Sequence, residues 1–310
     1  MGKASRTKVE STRREKIAAQ RAAERRAEKR RRILLASGSV VVVLAVVLVF
    51  VIVKLNGGKP SGTSSQGLSN GPTGSALTAV VDKVTSVPAS VLNTVGEGSG
   101  EVANKPSSVT GSPLTENGKP ELLFMGAEYC PYCAAERWAL IVALSRFGTF
   151  KGLSTVHSAV QNGAGGQEPD PDTPTFTFLH SSYSSPYLTF TPVEVNTNIP
   201  DPSTGGYTTL QTPTKAQVTL WNHYDNNTEG VPFADFGNKY VILNPSYDPG
   251  VLDGLSWATI AADLSNPNST VAKAVDGTAN YITAAICKGM TGNQPAAACT
   301  PTVKALESQI

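Results

Sequence analysis

The sequence predicts an α/β domain that follows a single membrane-spanning helix. Three observations carry this expectation. An uncharged apolar run, ILLASGSVVVVLAVVLVFVIV, occupies Ile33 to Val53. Further on, KPELLFMG reads as a buried strand and passes through a tight turn into the helical stretch AAERWALIVALSRF. Near the end of the chain, VPFADFGNKYVIL reads as two short strands around a Gly-Asn turn, with helical stretches before and after it. Strand, helix, insertion, helix, hairpin and helix in that order make an α/β plan.

Taken from the N-terminus, residues 1–32 hold 13 Lys and Arg against 4 Glu, so 13 basic and 20 acidic residues are left for the rest of the 310-residue chain. A formal charge of +2 therefore conceals a strongly divided molecule. As a helix the apolar run would measure about 31 Å, the thickness of a hydrocarbon core. It is longer than a signal-peptide core, and VKLNGGKPSG after it offers no small-x-small cleavage site. An uncleaved anchor is expected, at the cell membrane in a single pass. The positive-inside rule puts the basic arm in the cytoplasm and everything after Lys54 outside. REKIAAQRAAERRAEKRRR alternates Ala with charge and should touch anionic lipid. It lacks the interleaved aromatics of an RNA-binding arm, so no nucleic-acid partner is expected.

The domain boundaries expected from composition are an arm at 1–32, a transmembrane helix at 33–53, a flexible linker at 54–75 and an outer domain at 76–310. The linker assignment rests on the Gly/Ser/Pro-rich NGGKPSGTSSQGLSNGPTGS. ALTAVVDKVTSV then reads as a helix ended by Pro88. A strand is expected at Glu121–Gly126, followed by a helix opening at Pro131 and stopping near Gly148. Trp138, Ile141, Val142 and Ser145 mark its buried face. TFTFLHSSY and SSPYLTFTPVEV are strands and candidates for a pair. TPTKAQVTLWNHYDN is a helix introduced by Pro213, and SWATIAADLS and AVDGTANYITAAICKGM are helical.

The chemistry concentrates in GAEYCPYC, where Cys130 and Cys133 stand with two residues between them. A zinc site wants four ligands, but Cys287 and Cys299 are twelve apart and His157, His180 and His223 are scattered, so no metal is expected. A structural bridge across two residues removes little chain entropy. Redox chemistry is left, and it requires no cofactor. Cys130 at a helix N-terminus meets unpaired N–H groups that stabilise a thiolate, so it is the attacking sulfur; Cys133, one turn inward, resolves the mixed disulfide. No imidazole stands between the two, where Tyr132 lies, and Glu128 opposes ionisation slightly. The expected Cys130 thiol is therefore more acidic than a free one but short of the strongest oxidants, with a potential of about −230 to −170 mV. Outside the cytoplasm, Cys287 and Cys299 are expected to form a structural disulfide, with an electron shuttle as the alternative.

GAEYCPYC resembles the thioredoxin-superfamily active site, and EGVPFADFGNKYVI resembles that superfamily's second signature. The resemblance implies a thioredoxin-like fold with a large insertion, a cis-proline at Pro232, and substrate contacts from Val231, Tyr132 and Pro131. GAEYCPYCAAERWAL, SSYSSPYLTFTPVE and GNKYVI together resemble a thioredoxin-like family of unknown function, DUF 929, of archaea and actinobacteria. That similarity covers roughly Thr78 to Thr300 and implies a fold without naming a substrate. The arm and anchor resemble membrane-tethered disulfide oxidoreductases. One departure is Phe124, which stands where many thioredoxins carry a proton-accepting Asp; Glu136 is the candidate acceptor in its place.

The expected function is a membrane-anchored thiol–disulfide oxidoreductase that forms or isomerises disulfides. Its partners would be cysteine-bearing secreted or envelope proteins and a membrane redox partner. The alternative is a copper-binding metallochaperone, which would need a third soft ligand from His180 or His223.

Overall fold

The computed structural model describes residues 67–310. The arm, the apolar run and the linker up to residue 66 lie outside the described residues. Among the described residues no helix is long and apolar enough to cross a membrane.

The domain is a mixed α/β structure built on strand β3 (Lys119–Gly126), which is buried from Glu121 onward. β11 (Phe233–Phe236) pairs antiparallel to one side of it, and β12 (Tyr240–Ile242) and β1 (Ser107–Ser108) continue that edge. On the other side β8 (Thr189–Glu194) runs parallel to β3, from Glu121 opposite Thr189 to Gly126 opposite Glu194. The short β2 (Thr115–Glu116) closes a hairpin on the start of β3. Alternation along β3 sends Leu122 and Phe124 to one face and Leu123 and Met125 to the other.

The first face is covered by α3 (Pro131–Ser145) and α6 (Thr270–Ile286), which pack against each other. α1 (Gly74–Thr85), α2 (Ala89–Val95) and α5 (Trp257–Asp263) add to the same core. The sequence predicts one buried face for α3, yet thirteen of its fifteen residues are buried. The physical reason lies in its composition: PYCAAERWALIVALS is apolar all round, and such a helix belongs in an interior. Trp138 is fully buried and donates its indole N–H to the Pro174 carbonyl at 2.8 Å. The second face is covered by α4 (Lys215–Asp225), which inserts Trp221 over Leu123, Met125 and Phe233. Thr214 caps α4 in a reciprocal box with Gln217, so Pro213 lies just outside the helix.

Between α3 and β8 lies an insertion of two small ribbons. β4 (Thr149–Lys151) pairs with β7 (Ser182–Ser184), and β5 (Ser154–His157) pairs with β6 (Pro174–Thr177). The expected pairing of TFTFLHSSY with SSPYLTFTPVEV is therefore wrong. β6 finds β5 as its partner, whereas β8 completes the parallel edge of β3. Phe150, Phe178, Tyr183 and Phe190 pack mostly edge to face and join the insertion to the core. A further hairpin, β9 (Asn196–Asp201) with β10 (Gly206–Thr209), follows β8.

The linker boundary also moves. Residues 67–73 are tied to the domain by hydrogen bonds and α1 already starts at Gly74. Its order comes from the distant side chains of Glu128 and Asn198, which bind its backbone, although its composition reads as a tether. Cys287 and Cys299 are joined in a disulfide between the end of α6 and the approach to α7 (Pro301–Leu306).

Candidate active site

β3 ends at Gly126, and the chain turns through Ala127–Tyr129 to deliver Cys130 at the N-cap of α3. Pro131 takes the first helical position, where its missing N–H costs nothing. The Cys133 backbone N–H donates to Cys130 Sγ at 3.1 Å, so the first sulfur serves as the helix cap. Both cysteines are free thiols; Cys130 is 4 % exposed and Cys133 fully buried. Opposite them the loop before β11 brings in Val231, whose carbonyl accepts from Cys130 Sγ at 3.7 Å. The Val231–Pro232 bond is cis. Tyr132 and Val231 are half-buried around the sulfurs, and Tyr129 stacks on Tyr207 of β10, with centroids 4.1 Å apart and planes within 6°. The sequence-predicted residues Cys130, Pro131, Tyr132, Cys133, Val231 and Pro232 are thus brought together.

Glu136 is brought elsewhere. Its carboxylate accepts from the Ser246 N–H at 3.2 Å and from the Ser246 hydroxyl at 3.1 Å, and burial pushes it up to about 7. The charged group whose field reaches both sulfurs is Arg137. Fully buried, Arg137 donates to both oxygens of Glu194, at 2.9 and 2.5 Å, and to the Ala127 carbonyl at 2.8 Å. Sequence reading missed this pair. The available signal was a lone cation at Cys133 + 4, the same helical face, in a helix otherwise almost free of charge.

Glu128, also fully buried, accepts from the Gly67 N–H at 2.7 Å. Burial is the main cause that pushes it up to about 7; the Thr177 hydroxyl counteracts this, Glu194 adds to it, and Arg137 opposes it weakly. The two sulfurs differ sharply. For Cys130, burial raises the thiol, but hydrogen bonds from the Cys133 side chain and backbone and the Arg137 charge outweigh it, and the thiol ends below its ordinary value. For Cys133, burial and the neighbouring Cys130 push the thiol well above it. Thiolate stabilisation therefore rests on a buried guanidinium as well as on the helix N-terminus, which corrects the expectation of a helix end alone.

His180 and His223, the imidazoles a soft-metal site would need, are both exposed, one in the turn after β6 and one on α4, while the sulfurs are buried. The disulfide lies toward the other end of the sheet: Gly237, in the turn closing β11 far from Pro232, faces Met290 beside Cys287. Both of its cysteines are buried.

Comparison with known proteins gives one match. The family described as Domain of unknown function (DUF929) matches residues 105–288, more than half of the chain, and the chain belongs to it. No curated protein and no solved structure matches it.

Proposed function

We propose that this DUF929 member is a membrane-anchored, extracytoplasmic thiol–disulfide oxidoreductase with a thioredoxin-like core. The observation that carries the reading is the unequal sulfur pair: a more acidic Cys130 that caps its own helix and a less acidic Cys133 buried one turn below. The fold reading is supported by the strand order β12–β11–β3–β8, with the cysteines after the central strand and Pro232 leading into its antiparallel neighbour. The anchor and its orientation rest on the charge asymmetry of the sequence.

In the oxidising direction, Cys130 and Cys133 start as a disulfide. A substrate thiolate attacks Cys130 Sγ, the substrate S–Sγ bond forms, the Cys130–Cys133 bond breaks, and Cys133 leaves with the electron pair and takes a proton. A second substrate thiolate then attacks the substrate sulfur of the mixed disulfide. Cys130 departs as a thiolate, and its low basicity makes it a good leaving group. Two electrons pass from the substrate to the pair.

The test is equilibration of the purified protein with glutathione buffers, together with alkylation of the pair in intact cells. The expected potential is about −230 to −170 mV, between glutaredoxins and protein disulfide isomerase, with the pair mostly oxidised in cells. A value at or below about −270 mV would mean a reductase. A pair that exchanges no disulfide with glutathione would end the reading.

A further inference from the structure

Residues 67–69 lie against the redox turn and are joined to it and to two strands by directed hydrogen bonds. Gly67 N–H donates to Glu128 Oε2 at 2.7 Å. Leu68 is held at both backbone atoms by one side chain: its N–H donates to Asn198 Oδ1 at 2.6 Å, and its carbonyl accepts from Asn198 Nδ2 at 2.8 Å. The same Nδ2 donates to the His157 carbonyl at 2.7 Å, so Asn198, itself buried, ties the stretch to β5 and β9 at once. Ser69 continues the contact through Thr155 at 3.0 Å. There is no slack at the first residue: a Cβ at position 67 would collide with both Asn198 Oδ1 and Glu128 Oε2.

We infer that Asn198 and the strap it holds, Gly67 to Ser69, are positioning elements of the redox centre, keeping Glu128 dry beside Arg137 and so setting the charge that the Cys130–Cys133 pair meets. The inference rests on the oxidoreductase reading of that pair. Glu128 is two residues before Cys130 and is faced by Arg137 from α3 and Glu194 from β8, with the Thr177 hydroxyl from β6 and the strap N–H as its remaining polar neighbours. Dryness disfavours the Glu128 carboxylate, so Arg137 is countered chiefly by Glu194, and its remaining field favours the thiolate of Cys130. Lifting the strap does two opposing things to Glu128: it removes an N–H donor, which favours the neutral acid, and it admits water, which favours the carboxylate. Glu128 is fully buried and the strap gives it a single N–H, so water that enters replaces one lost donor with several, and hydration wins. A second carboxylate then stands beside the guanidinium, and the thiolate loses support.

The test uses the reduced full-length chain in detergent, following Cys130 by the ultraviolet absorbance of its thiolate against pH and by its alkylation rate. Asn198→Ala is expected to move the Cys130 titration upward by up to about one unit, which slows alkylation below the midpoint by up to about tenfold. Glu128→Gln, which keeps position 128 neutral, should abolish the response, so that Asn198→Ala added to it changes nothing further. Gly67→Ala, which displaces the strap sterically and leaves Asn198 intact, should repeat the Asn198→Ala shift and serves if that variant does not fold. A folded strap variant with an unmoved Cys130 titration would overturn the inference, as would an equal shift in the Glu128→Gln background. Because the readout is the acid strength of a thiol and not turnover, a protein that exchanges no disulfides would defeat the proposed function and leave the effect of the strap on Cys130 measurable.

Discussion

Replacing Arg137 separates what a buried ion pair does for folding from what it does for a sulfur. Arg137→Met removes two hydrogen bonds to Glu194 and one to the Ala127 carbonyl, all fully buried, and strands the Glu194 carboxylate in the core. Leaving one member of such a pair uncompensated costs about 3–5 kcal/mol, a large part of the usual 5–15 kcal/mol total. Adding Glu194→Gln removes the stranded charge and keeps an oxygen for the Phe178 N–H, which Glu194 accepts at 3.2 Å. The double variant then lacks chiefly the donor to Ala127 and should be destabilised by only about 1–2 kcal/mol. Cys130 should behave differently. Its thiol should rise in both variants, because the cation is gone from both. The sign follows for stability too. A thiol held below its ordinary value stabilises the fold above the unfolded-chain value and loses that contribution as pH falls through the folded one, so this alkaline contribution shrinks in both variants. Urea unfolding and a thiolate titration read the two effects. A single variant that loses less than about 1 kcal/mol would refute the cost assigned to the stranded Glu194, and a double variant whose Cys130 titrates like the parent would refute the assignment of Arg137 to the sulfur pair.

Three further outcomes are expected. Cys133→Ser should accumulate mixed disulfides on Cys130, visible as dithiothreitol-sensitive adducts on non-reducing gels, and Cys130→Ser should not; equal trapping by both would reverse the two roles. Replacing Cys287 and Cys299 together by Ser should cost about 3 kcal/mol in urea unfolding, the value for a closed loop of about this length, while the redox potential of the folded protein stays put. A shifted potential would make this bridge part of electron transfer. Glu128 and Glu136, each pushed by burial from 4.5 up to about 7, and Asp276, pushed from 3.8 up to about 8, favour their neutral forms in the fold. Their contribution is therefore fully present below the ordinary carboxylate range and is lost as pH rises toward about 8. The thermal midpoint should be clearly higher near pH 5 than near pH 8, and a flat profile would show these groups to be hydrated.

The parts of the site that lie close in sequence were readable. Cys130, Pro131 and Cys133 are set by local chemistry, a proline at the first helical position and a sulfur at the cap, and an eight-residue strand leading into a helix announces itself by composition. What could not be read depends on distant partners. Glu194 enters from β8 because a parallel register brings it level with Gly126, a relation no local pattern encodes. Glu136 carries a candidate's chemistry, but its surroundings are chosen by Ser246, 110 residues away. The strap failed for a third reason: Gly, Leu and Ser are weak structural signals alone, and their order comes from Asn198, 130 residues on from Leu68.

The burial of α3 on all sides has a consequence for motion. Amides in such a helix have no local route to solvent, so in hydrogen–deuterium exchange those of its middle turns should open only with the whole domain, among the slowest of all. The cap that joins the Cys133 N–H to Cys130 Sγ is buried at the start of that helix. If the pair exchanges disulfides as proposed, flexibility needed for docking has to come from the incoming polypeptide, which favours clients that are still unfolded when their cysteines arrive.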